Sequence, residues 1–429
     1  MKERTINMKG ILLAALFAVG FSAHASVCRI AGAEGSWRIE LNGQLYALKG
    51  VGCPLAVGKN GTDYFELARE MGANTLRTWG TDQGTSDYLD RAREFGFMVD
   101  AGIWLPHCNW RKRKKVFSYV EDREALENLE RETLEYVRRF RDHPAILFWN
   151  LGNEVLFFTN EENERIAFCR FLEKLVKRVK EIDPDHPVLY TAANPEMISY
   201  LRRYVPSLTL YGFNTYGGVD YIHEAMRDAG IRRPFLITEA GPFGPWQCPR
   251  DRFDRAVDQA DYEKAFRYRY LLEEIDRFRG HCLGGFVFHL GETTQESLTW
   301  WNLTVGPLRR EGYHAVKSHY TGRDPENRPP LCTALEIMNP VVRSGERVVA
   351  RVAARDREDD PLRYSIKVGT ARENILLHTV NEEVPVEVRR AGCETVFLAP
   401  PQSGIYKLHV FVYDGMGNIA TRTASFKVE

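Results

Sequence analysis

The sequence predicts an α/β fold: a (β/α)₈ barrel followed by a small C-terminal all-β immunoglobulin-like sandwich. Between Trp37 and Gly322, short β-branched and aromatic runs alternate with helical periodicity about eight times, the pattern of a parallel barrel. No glycine-rich phosphate loop follows the first of those runs, which argues against a doubly wound open sheet. After the proline-rich stretch that ends at Pro330, helical periodicity stops. Alternating runs such as Arg347–Val352 and Tyr406–Val412 take over, separated by turn clusters, as in a β-sandwich.

Each element has its own signal. Asn42-Gly43 between alternating runs predicts a hairpin ahead of the barrel. The eight strands are expected at Leu48–Gly52, Asn74–Trp79, Phe97–Trp104, Ala145–Glu154, Pro187–Ala192, Leu208–Asn214, Pro234–Glu239 and Leu283–His289. Helical periodicity separates them at Asp63–Met71, Asp87–Phe95, Glu121–Asp142, Glu161–Glu181, Pro195–Tyr204, Tyr221–Ala229 and Tyr262–Phe278, with Gly312–Tyr320 closing the barrel. The expected organisation is a signal peptide over 1–25, the barrel over 26–322, a linker over 323–332 and the sandwich over 333–429.

Composition narrows the function. The 429 residues carry 58 basic and 58 acidic side chains, so neither a nucleic acid nor a membrane surface is implied as partner. Lys2, Arg4 and Lys9 precede an apolar run, Ile11–Phe21, and an A-x-A cleavage pattern, Ala23-His24-Ala25. That run is too short for a permanent span, so the expectation is a secreted or periplasmic protein without a membrane anchor. The 8 cysteines show no zinc-like spacing, and Cys53, Cys169 and Cys282 lie inside apolar patterns as buried thiols. No metal or organic cofactor is expected. Asp356, Glu358, Asp360 and Asp414 could gather calcium, but turn chemistry at strand ends is the simpler reading. The basic run Arg111–Lys115 reads as a solvated loop face before it reads as a site for an anionic glycan.

The chain is organised around A-I-L-F-W-N-L-G-N-E-V, Ala145–Val155, a buried strand that breaks at Gly152 and delivers Asn153 and Glu154. Pro234–Gly241, P-F-L-I-T-E-A-G, repeats that grammar and ends by presenting Glu239. Barrel enzymes place catalysis at the C-terminal mouths of their strands. Hydrolysis of a glycosidic bond needs one carboxylic acid to protonate the leaving oxygen and one carboxylate on the opposite side of C1. Fourth and seventh strands face each other across the mouth, so Glu154 and Glu239 fit that requirement.

The chain resembles the clan of retaining β-glycosidases whose acid/base and nucleophile follow strands four and seven. W-N-L-G-N-E, ending at Glu154, is similar to the acid/base motif of β-galactosidase-type enzymes, and L-I-T-E-A-G, with Glu239, to the clan's nucleophile motif. Arg77 in N-T-L-R-T matches an arginine that orients the nucleophile. Asn214 and Tyr216 in Y-G-F-N-T-Y-G-G match a motif whose tyrosine bonds it. The same strand-six motif, Tyr190–Asn194 and strand eight also resemble fungal β-1,3-glucanosyltransferases. Two departures stand out. The barrel is expected to start almost at the mature N-terminus, without the domains that precede it in β-galactosidase-type enzymes, and Phe288-His289 occupies the place of a tryptophan floor that Trp300 or Trp301 would have to supply.

The resemblance implies Glu154 as acid/base and Glu239 as nucleophile, with Asn153 on the sugar 2-hydroxyl. Trp104, Trp246, Trp300 and Trp301 are candidate stacking platforms, although tryptophan is more commonly a packing residue. His107 and His289, at the ends of strands three and eight, are candidate pocket residues or satisfied structural histidines. The expected function is an exported retaining β-glycoside hydrolase acting on an oligo- or polysaccharide, with β-glucan preferred. A transglycosylase using the same site, or a catalytically silent glycan-binding protein, are the alternatives. Sugar identity, linkage and oligomeric state are not legible in the sequence.

Overall fold

In the computed structural model, residues 25–82, 84–108, 110, 111, 114, 115, 117–372 and 380–429 are described, the four between 109 and 116 by backbone alone. The expected leader and the side chains of the basic run Arg111–Lys115 therefore lie outside the described residues. Eight parallel strands close into a barrel: β1 (Gly50–Gly52), β2 (Thr75–Arg77), β3 (Met98–Ile103), β4 (Ile146–Asn153), β5 (Val188–Ala192), β6 (Leu210–Thr215), β7 (Phe235–Ala240) and β8 (Cys282–Val287). They pair in chain order and β8 returns to β1. Every residue of β4, β6 and β7 is buried, which explains why these strands read as continuous runs rather than alternating ones.

Helices pack outside the barrel as their periodicity requires. Asp63 caps Tyr64–Met71 by accepting from the amides of Phe65 and Glu66, and Gly72 ends it at a φ of 84°. The Asn42-Gly43 hairpin forms, with both residues at positive φ. It belongs to a three-stranded ribbon, Cys28–Ala31, Arg38–Leu41 and Gln44–Tyr46. Cys28 and Ile39 of that ribbon pack on Met98, Leu147, Leu189, Leu210 and Leu236, closing the N-terminal end of the barrel. The chemistry is left to the other end.

The first sandwich strand, Leu331–Ile337, starts inside the expected linker. It lies in a four-stranded sheet with Arg347–Arg355, Glu394–Leu398 and Val388–Arg390. The five-stranded sheet holds Val341–Val342, Ile419–Val428, Gly404–Tyr413, Arg363–Thr370 and Glu383–Val384. Val348, Phe397, Leu408, Val410 and Phe426 form the core between the two. Two of the acidic residues singled out above cap turns: Asp356 Oδ1 accepts from the amides of Glu358 and Asp360, and Asp414 Oδ1 from those of Met416 and Asn418. All eight cysteines are free thiols; Cys53, Cys169 and Cys282 are buried as expected. Among the described residues no helix is long and apolar enough to cross a membrane, and no cluster of His, Cys, Asp or Glu is placed to hold a metal ion.

Candidate active site

The loops and strand ends at the C-terminal mouth of the barrel enclose a cavity of about 640 Å³. Glu154, Glu239, Asn153, Asn214 and Tyr216 all line it, together with Trp104, Trp246, His289 and Trp301. Local sequence explains the delivery of Glu154. Gly152 sits at a φ of 87°, where a Cβ would come 3.1 Å from Leu105, and Glu154 itself takes a left-handed φ of 58°. That conformation is costly for a residue with a side chain and is characteristic of functional positions. The Glu154 amide donates to Thr191 O at 2.9 Å, tying the turn to β5. On the facing side an irregularity in register lets Asn214 of β6 lie opposite Glu239 of β7, although Phe213 lies opposite Ile237.

Glu239 is held by three donors. Its Oε1 accepts from Arg77 Nη1 at 2.9 Å and from Trp79 Nε1 at 2.8 Å, and its Oε2 from the Tyr216 hydroxyl at 2.7 Å. Arg77 is buried at 1% exposure, so its charge acts with little water to screen it. Its Nη1 also donates to Thr238 O at 2.6 Å, its Nη2 to Asn153 Oδ1 at 2.8 Å, and its Nε lies 3.7 Å from Asp100. Burial pushes Asp100 up to about 6, against the Arg77 charge and a hydrogen bond from Asn150.

Glu154 has a different setting. Its Oε1 accepts from Asn214 Nδ2 at 2.7 Å. Burial pushes its carboxyl up to about 7, the Glu239 charge adds to the rise, and Asn214 and Arg77 oppose it. Asn214 Nδ2 also reaches Asn153 Oδ1 at 3.2 Å, and Asn214 Oδ1 accepts from Thr238 at 2.9 Å. One hydrogen-bonded chain, Glu154–Asn214–Asn153–Arg77–Glu239, therefore fixes both carboxyls on one frame. With Asn153 Oδ1 taken by two donors, the amide nitrogen is what that residue has left to offer a ligand.

The remaining candidates divide. Arg77 lies beneath the cavity and not in its lining. Trp104, Trp246 and the adjacent Phe157 are exposed on the rim. Trp301 packs on Tyr216 and Phe288, ring centroids 4.9 and 5.6 Å away, and lines the cavity. Burial pushes His289 down to about 4, so its ring is neutral where it meets the cavity.

Two expectations need correcting. Trp300 is no platform: it is buried at 1% exposure, its Nε1 donates to Phe243 O, and the Lys264 and Lys407 ammonium groups lie 5.6 and 5.1 Å from its ring. His107 does not line the cavity either. It lies past the end of β3, stacks on Phe158 at 4.6 Å, and its Nε2 is 2.8 Å from Asn153 O. Trp79 was not singled out from the sequence, yet it bonds Glu239, lines the cavity and stacks on the Arg77 guanidinium at 4.7 Å. Its signal was available: it stands two residues beyond Arg77, on the same side of an extended chain. Gln295 and Glu296, which line the cavity from the loop after β8, carried no such signal.

Such a pair, one carboxyl raised by burial to about 7 and one surrounded by three donors, is equipped for general acid and nucleophilic work at one carbon. Residues 63–262 match the family model described as glycosyl hydrolases family 2, TIM barrel domain. A β-galactosidase of Bacteroides ovatus is 26% identical over 221 residues, 44% of this chain and 25% of that protein. A β-glucuronidase of Chlorocebus aethiops is 22% identical over 254 residues, 55% of this chain and 36% of that protein. The chain thus spans well under half the length of either relative. Among solved structures, a Bacteroides uniformis β-glucuronidase has a TM-score of 0.52 at 16% identity, over 94% of this chain and 48% of that one. A family 2 β-galacturonidase from Eisenbergiella tayi has a TM-score of 0.53 at 16% identity, over 70% and 54% of the two chains. Those likenesses show a shared fold. Over residues 63–262 the chain is thus similar to the glycosyl hydrolase family 2 TIM barrel domain, and in that region to a β-galactosidase and a β-glucuronidase.

Proposed function

We propose that the protein is a retaining β-glycoside hydrolase in which Glu239 is the nucleophile and Glu154 the acid/base. One observation carries the assignment: the two carboxyls share a cavity, but three donors surround Glu239 while burial and its neighbour's charge raise Glu154 to about 7. A Glu239 oxygen attacks C1, the C1–O bond breaks, and the Glu154 proton goes to the leaving oxygen. Glu154, now a carboxylate, then takes a proton from water as the water oxygen attacks C1 and releases Glu239. Two inversions give net retention. We assign Asn153 to the 2-hydroxyl and Trp301 to the sugar face, because both line the cavity beside the carboxyl pair.

The substrate we propose is a β-linked glycan longer than one sugar, since Trp104, Phe157 and Trp246 extend an aromatic rim beyond the carboxyl pair. β-Glucan is the first class to test, on the strand motifs shared with glucanosyltransferases. β-Galactosides and β-glucuronides follow, on the names of the relatives. Export is proposed on the leader-like residues 1–25. The test incubates the chain and its Glu239→Gln variant with β-1,2-, β-1,3-, β-1,4- and β-1,6-glucans, β-galactans and β-glucuronides, following product masses. Shorter products from the unaltered chain alone establish hydrolysis and name the linkage. Longer products make it a transferase. Binding to any of these glycans without turnover sinks the catalytic reading.

A further inference from the structure

We infer that the C-terminal sandwich is part of the substrate-binding unit, with Asn381 as a positioning residue for the cavity wall formed by Thr293, Gln295 and Glu296. The inference rests on the reading of the cavity as a glycoside site. Those three residues line the cavity from the loop after β8 and belong to the barrel part of the chain. Asn302 of the barrel part bonds Thr293, and the sandwich bonds the residues that follow it. The Asn381 amide donates to Thr294 O at 3.0 Å, and its Nδ2 donates to Glu296 O at 3.0 Å. Gln295 and Val380 pair as an isolated antiparallel bridge, a backbone tie between the loop and the sandwich part of the chain.

Asn381 is itself fixed. It is 1% exposed, and its Oδ1 accepts from the Arg372 amide at 2.8 Å and the Thr370 hydroxyl at 3.2 Å. A buried amide with all its groups bonded to two separate segments is a rigid connector. Two further contacts seat the same loop. Gly369 lies against Leu298, where a Cβ would stand 3.2 Å from the leucine Cδ1, and Thr299 Oγ1 is 3.3 Å from His409 Nδ1. Glu296 takes a left-handed φ of 68°, a conformation that persists only where its surroundings impose it. The sandwich therefore adds its own bonds to a wall that Asn302 also ties to the barrel. On this inference a sugar bound away from the carboxyl pair meets this wall, while a single sugar at the pair need not.

The experiment compares the full chain with Asn381→Ala and with Val348→Ala, which opens the sandwich core far from the loop. Each is assayed on an oligosaccharide of the preferred linkage and on the aryl monoglycoside of the same sugar, with hydrogen exchange followed over residues 293–299. In Asn381→Ala, KM for the oligosaccharide should rise about tenfold, the loss of roughly one hydrogen bond, with kcat within about twofold. KM for the monoglycoside should stay unchanged, and exchange over the loop should increase. Val348→Ala should lower Tm and leave both substrates alike. Equal changes on both substrates, or unaltered exchange in Asn381→Ala, overturn the inference. If the unaltered chain turns over neither substrate, the glycoside reading falls by itself. The exchange result then still decides whether Asn381 holds the wall.

Discussion

At the mouth of β7 the carboxylate of Glu239 meets a guanidinium, an indole N–H and a phenol within 2.9 Å. At the mouth of β4 the carboxyl of Glu154 meets one amide donor, from Asn214, and is raised by burial to about 7. Residue type and position in the barrel are the same; the donors differ. Arg77 makes the difference, because it reaches Glu239 directly and Glu154 only through Asn153 and Asn214. A chemical role here follows from which neighbours a strand end receives, not from the strand end itself.

The sharpest break of that asymmetry is Glu239→Gln. It keeps the shape and removes the attacking oxygen, so turnover should fall about 10⁴-fold or more on every substrate. Glu239→Gly with added azide should restore some turnover and give the glycosyl azide of inverted configuration; a retained azide would exchange the two roles. Glu154→Gln should cost about 10²–10⁴-fold on glycosides with poor leaving groups and far less on activated aryl glycosides, which need no proton.

Glu154 also sets two pH responses. Because the acid form is needed, the kcat/KM of the unaltered chain should decline as pH rises through about 7, and Glu154→Gln should lack that limb. Stability should follow the same proton. The folded value of about 7 lies above the ordinary 4.5, so the folded chain binds more protons than the unfolded chain between them. The contribution is present at low pH and is lost as pH rises through about 7. Comparing Tm at about pH 5 and about pH 8, Glu154→Gln should therefore show the smaller drop. An equal drop in both proteins would show that Glu154 is not the group responsible.

Much of this was legible in the chain because the strands that carry it are buried on both faces. Runs such as Ile146–Asn153 and Phe235–Ala240 have one reading, and their last residues then point to the mouth. Gly152 and Asn42-Gly43 were legible for the same kind of reason, since local geometry demands those residues. The tryptophans were not, because a stacking platform and a core ring have the same composition signal. Trp300 and Trp301 are neighbours in sequence, yet one carries two lysines on its face and the other faces the cavity. Nor could the sequence reveal Asn381 beside Glu296, 85 residues apart and brought together only in the folded chain.

Arg77 joins the two carboxyls and also faces Asp100, so its loss should be felt in stability before catalysis. Arg77→Met leaves Asp100 and Glu239 buried without their cation, at a cost of about 3–5 kcal/mol, read from chemical unfolding. Double replacement with Asp100→Asn should return part of that, since the second buried charge goes with it. If the double variant is no more stable than Arg77→Met, Asp100 is already uncharged in the fold, a state its rise to about 6 brings within reach at mildly acid pH.

A smaller effect is expected from Tyr216→Phe, and it is the most discriminating. The hydroxyl donates to Glu239 Oε2 at 2.7 Å while the ring packs against Trp246 and Trp301, so phenylalanine keeps the packing and removes one donor to a charged group. Such a bond is worth about 1.5–3 kcal/mol, roughly ten- to a hundredfold. The direction of the effect depends on when the bond is strongest. As Glu239 leaves C1 in the second step, negative charge returns to its oxygens, and a donor waiting there speeds departure. Tyr216→Phe should then slow breakdown of the glycosyl intermediate more than its formation, giving a burst with an activated aryl glycoside and a KM that falls along with kcat. Trp79→Phe removes a donor from Oε1, which Arg77 still serves, so the loss there should be smaller. If both variants instead raise KM with kcat unchanged, these donors only help to bind the ground state, and the asymmetry between the two mouths is one of structure and not of chemistry.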